Sequence, residues 1–83
     1  MARVYTPQWM KRYFIHGHDG SNGSERIPHV HVYVGDGEAS VSIEGADYLR
    51  NSGIPHNRYY DVLEWVRDHR YELKDEWDEK SNT

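Results

Sequence analysis

The chain has no cysteine. Disulfides and thiolate-ligated zinc are therefore excluded, and the redox compartment stays open. Nor is there an apolar stretch of membrane-spanning length, and the first ten residues contain a proline and a charge, unlike a secretory leader. The expectation is a soluble, cytoplasmic protein with no membrane partner. A basic excess is also missing: ten Lys and Arg face fourteen Asp and Glu, a formal charge of −4. Broad gripping of a phosphate backbone needs the opposite sign. No Walker lysine, dinucleotide glycine spacing, nucleophile elbow or internal repeat is present.

What the chain does have is rings. Apolar residues make up only 36% of 83 residues, and seven Tyr and three Trp supply much of that share. Each large ring buries considerable area, which matters near the lower size limit for one self-supporting core. A domain this small gains from a partner subunit, a companion protein or a metal. Six histidines add a pH response. Electrophoretic mobility is expected to reverse sign close to pH 6, and a mobility still anodic at pH 5 would contradict this.

Residues 26–34 organise the rest. Val30, Val32 and Val34 alternate with His29, His31 and Tyr33, the pattern of a half-buried strand with valines inward and imidazoles on the other face. Pro28 suits a strand start. Gly35-Asp36-Gly37 is a hairpin turn. The return strand then places Ala39, Val41 and Ile43 inward, and Ser40, Ser42 and Glu44 beside the histidines. Upstream, residues 12–16 read as a further strand that buries either Tyr13 with Ile15 or Phe14 with His16. Residues 17–26 read as a Gly- and Ser-rich loop, and residues 45–53 as a connection with a helical turn at 46–50. Pro55 and a capping Asn57 introduce a helix over 57–80. Its stripe of Trp65, His69, Leu73 and Trp77, flanked by Val62 and Val66, faces the sheet. His69 within that stripe is expected to donate to backbone or to a carboxylate. The fold class is α+β: a small antiparallel sheet of about three strands packed against one long C-terminal helix. One domain is expected over 1–83, with a lead-in segment 1–10, a sheet over 11–44 containing loop 17–26, and helix 57–80.

Pro28-His29-Val30-His31-Val32, Ala39-Ser40-Val41-Ser42-Ile43, and Trp65, His69, Glu72-Leu73 and Trp77 resemble the bacterial family of the domain of unknown function 4160 over about residues 12–79. The resemblance implies the same order of strands and C-terminal helix. It also implies a companion, because such domains often occur beside another small domain in an arrangement like a toxin–antitoxin pair. The glycine-rich insertion after Asp19, and Val30 in place of an aromatic residue, depart from the family pattern.

Three chemistries compete for the histidine face. His29 and His31, two residues apart on a strand, can share Zn²⁺ or another divalent ion, with His16, His18, Asp19 or Glu44 completing the ligands. Such a centre can activate water for phosphodiester hydrolysis. Alternatively, His29, His31 and Tyr33, with Ser40, Ser42 and Glu44, form an anchoring surface for a protein. Within that class, the acidic helix can mimic phosphate for a basic target. Third, Arg3, Lys11, Arg12 and Arg26 with Trp9, Tyr13 and Tyr33 offer a local nucleic-acid platform, which the overall acidity opposes. The expected function is a non-enzymatic protein-binding module of a bacterial or phage regulatory system, toxin–antitoxin-like or inhibitory. Divalent-metal binding through His29, His31, His16 and His18 is the alternative. The expected partner is another protein or a second copy of the chain, and no residue is assigned a catalytic role.

Overall fold

The computed structural model describes residues 4–17 and 27–81. Four strands form one antiparallel sheet in sequence order: β1 (Arg12–Phe14), β2 (His29–Val34), β3 (Gly37–Ser42) and β4 (Tyr48–Ser52). The alternation read from residues 29–34 sets the central hairpin. Val30 lies opposite Val41, Val32 opposite Ala39, and His31 opposite Ser40, so like faces like across both sides of the sheet. Gly37 opens β3 where its backbone is pressed against that of Gly53; a Cβ there would overlap the Gly53 carbonyl, so only glycine fits.

β1 resolves the choice between its two faces. Tyr13 pairs with Val32 and Phe14 with His31; Tyr13 and Ile15 are buried, whereas Phe14 and His16 are exposed. The sheet has four strands rather than three, because residues 48–52 form a strand and not a helical turn. Ser40 meets Arg50 and Val41 meets Tyr48, a register shift that leaves an extra residue on β4. β3 ends at Ser42, two residues short of the expected end. Ser42 N–H donates to Asp47 O at 2.8 Å and Ala46 N–H to Ser42 O at 2.9 Å, which turns the chain before Glu44.

The expected single helix is two: α1 (Tyr59–Asp68) and α2 (Arg70–Ser81). His69 causes the interruption. Its Nδ1–H donates to Trp65 O at 2.9 Å, while its backbone N–H is shared between Trp65 O and Val66 O at 3.1 and 3.3 Å. Two donors compete for one carbonyl, a known way of bending a helix. Asn57 is not the cap: it lies in a short 3₁₀ turn (His56–Arg58), and Arg58 precedes α1 without a side-chain capping bond. No helix among the described residues is long and apolar enough to cross a membrane.

One core joins all these pieces. Val30, Val32, Val41 and Ile43 from the sheet meet Val62, Trp65, Val66, Leu73 and Trp77 from the helices, and Val4 and Met10 from the lead-in segment belong to the same cluster. Inside it, Tyr13 Oη–H donates to Glu76 Oε2 at 2.7 Å and accepts Val4 N–H at 3.1 Å. Glu76 is only 5% exposed, so this hydroxyl satisfies a buried carboxylate from the far side of the fold.

At the other edge, Tyr48 Oη–H donates to Tyr59 O at 2.8 Å. Burial, with a smaller contribution from neighbouring Tyr59, pushes its phenol up from 10.0 to about 12. Folded Tyr48 therefore holds its proton more tightly than the unfolded chain. Its contribution is intact below pH 10 and is lost as the pH rises to about 12. Ultraviolet titration of the phenols should include the late ionisation of Tyr48, absent from the Tyr48→Phe variant and moving to about pH 10 in the unfolded chain; simultaneous ionisation of all tyrosines in the folded protein would contradict it.

Candidate histidine face

Because the helices pack on the valine side, the opposite side of the sheet carries Arg12 and Phe14 from β1, His31 and Tyr33 from β2, Ser40 from β3 and Arg50 from β4. Arg12, Phe14, His16 and Arg50 are exposed, and His31, Tyr33 and Ser40 are half-buried. Phe14, on the edge strand β1, keeps 43% of its surface in solvent, with the Lys80 ammonium 5.1 Å from its ring centroid.

The rings on this side form a continuous file. Phe14 lies 4.6 Å from His16, His16 lies 5.0 Å from His31, and His31 lies 5.0 Å from His29. His29 in turn lies 5.1 Å from Trp77 of α2. The three inner-strand contacts are edge-to-face, the arrangement that ring quadrupoles favour. Further along β2, the Arg12 guanidinium sits 4.5 Å from the Tyr33 ring centroid, a cation–π contact. The surface is thus prearranged by ring-on-ring contacts.

Not every expected site residue shares it equally. His31 is the centre: its Nδ1 is hydrogen-bonded to Ser40 Oγ at 3.2 Å, the cross-strand pairing that the alternation implied. His29 is only 5% exposed; its Nδ1–H donates to Ile27 O at 2.7 Å and Trp77 closes over it. His29 therefore supports His31 from below and presents little surface itself. Ser42 is equally inward, its Oγ accepting Asp47 N–H at 3.1 Å, so its hydroxyl fastens the β3–β4 turn. Glu44 follows the end of β3, where its carbonyl accepts from Arg70 of α2 at 3.5 Å; the early end of the strand takes it away from the imidazoles. His18 lies outside the described residues. Among the described residues, no group of three or more His, Asp or Glu side chains is placed to hold a metal ion.

Sequence reasoning did not bring Phe14, Arg50 or Trp77 to the histidines, and it named Arg12 beside Tyr33 only as part of a nucleic-acid platform. Once β1 is known to bury Tyr13, the position of Phe14 follows by alternation. Arg50 follows only from the β3–β4 register, and Trp77 reaches His29 from the end of the sheet, which no local pattern encodes.

A family model described as a domain of unknown function (DUF4160) matches residues 20–78. No curated protein and no solved structure matches the chain.

Proposed function

The chain belongs to the DUF4160 family, whose description leaves the role open, and we propose that it is a non-enzymatic protein-binding module. Its docking surface is the open side of the sheet, centred on Phe14, His31 and Tyr33. The observation that carries this reading is the exposed Phe14 ring, held at the head of the ring file and flanked by Arg12 and His16. Rings and guanidinium groups make most interface hot spots, because they bury large areas and still hydrogen-bond at their edges. A small core also gains stability by mass action when a partner binds only the folded state. The setting in this reading is a two-protein regulatory pair, toxin–antitoxin-like or inhibitory, with this chain as one member.

The test is capture of the partner by the tagged chain and two variants. Phe14→Asp is expected to weaken capture about 30-fold or more, the effect of losing a hot spot worth about 2 kcal/mol. Tyr71→Asp, at a ring 78% exposed on α2, should leave capture unchanged, and so should a metal chelator. Equal loss in both variants would contradict the assignment of the face. Loss on chelation alone would transfer the histidines to divalent-metal binding.

A further inference from the structure

A second feature lies away from the histidine face, where the lead-in segment crosses α1. Asp61, Glu64 and Asp68 are spaced three and four residues apart, so they form one stripe along α1. Residues 5–9 run alongside, fixed by the Trp65 indole N–H, which donates to Tyr5 O at 2.9 Å. Between them is a groove of about 420 Å³, lined by Trp9, Trp65 and His69 as well as by the three carboxylates. The stripe is therefore the acidic side of an aromatic-walled groove rather than a face open to water on every side.

The chain's own Arg58 shows what this groove accepts. Its guanidinium lies 5.3 Å from the Trp9 ring centroid and donates to Asp61 Oδ2 at 2.9 Å, so one cation is already held by a ring and a carboxylate. Glu64 and Asp68, one and two turns further along, make no ion pair with any described residue. Three carboxylates facing one guanidinium leave the groove negative, and aromatic walls add cation–π attraction to charge complementarity.

We propose that this groove binds an arginine or lysine side chain presented by a basic protein segment, with Glu64 and Asp68 as its counter-charges and Trp9 as its ring wall. The site is separate from the histidine face and does not depend on it.

The probe is a capped peptide of alternating glycine and arginine, titrated into the full chain while the tryptophan indole N–H resonances are followed. The Trp9 and Trp65 signals should shift and that of Trp77 should not. The double variant Glu64→Gln with Asp68→Asn, at exposed positions, keeps the shape and removes the charge; binding should weaken at least tenfold with an unchanged thermal melt. Raising salt from 50 to 500 mM should weaken it comparably. A glutamate peptide should not bind, and Phe14→Asp should leave arginine-peptide binding intact, which keeps failure here distinct from failure of the histidine-face reading. Absence of shifts at Trp9 and Trp65, or equal binding by the charge-neutral double variant, would overturn the proposal.

Discussion

Replacing Trp77 by alanine is expected to lower stability by about 3–5 kcal/mol, the usual range for removing a buried large ring. A chain of 83 residues has roughly 4–12 kcal/mol in total at ordinary per-residue stabilities, so the loss takes a large share of that margin and the variant should melt at a clearly lower temperature. The size follows from the position of the ring. Trp77 is 4% exposed and is at once part of the core under the valines and the cover on His29. Urea unfolding gives the magnitude, and Trp77→Phe should recover most of the loss because it keeps a ring over His29. In that milder variant His29 should react faster with an acylating imidazole reagent. An unchanged urea midpoint for Trp77→Ala would mean that α2 does not close the end of the sheet.

Tyr13→Phe should cost about 3 kcal/mol for the loss of one oxygen atom. The hydroxyl both donates to Glu76 and accepts the Val4 N–H, so its removal strips a buried carboxylate and a backbone donor together. The diagnostic result is non-additivity. Glu76→Met alone leaves the hydroxyl short of an acceptor, yet Tyr13→Phe with Glu76→Met removes both needs and should be milder than the sum of the single changes by 1 kcal/mol or more. Strict additivity in chemical denaturation would show that the two groups do not depend on each other.

These two predictions also mark where sequence reading reached and where it stopped. The hairpin of β2 and β3 was legible because Val30, Val32 and Val34 and Ala39, Val41 and Ile43 alternate without interruption, and a one-residue slip would bury the imidazoles. The His31–Ser40 contact followed from that register. β4 was not legible: four of its five residues are exposed, so it has no apolar face to betray a strand and owes its shape to pairing with β3. The break at His69 was hidden because the 65–69–73–77 row keeps its spacing across it. Glu76 looked like a surface residue of an acidic helix, since its partner Tyr13 is 63 positions away. The burial of His29 was missed for a similar reason: alternation gives the side of the sheet, not what comes over its end. The lead-in segment supplies both core residues and a groove wall, roles that its irregular sequence does not advertise.

On the proposed reading, a partner protein sits on the side of the sheet bearing Phe14, His31 and Tyr33. The most direct measurement places a photo-crosslinking amino acid at position 14 in one protein and at position 71 in another, irradiates each in cells of the source organism, and identifies what is attached. One discrete protein adduct is expected from position 14 and none from position 71. Adducts from position 71 alone, or no adduct at position 14 while the chain still co-purifies with a partner, would contradict it.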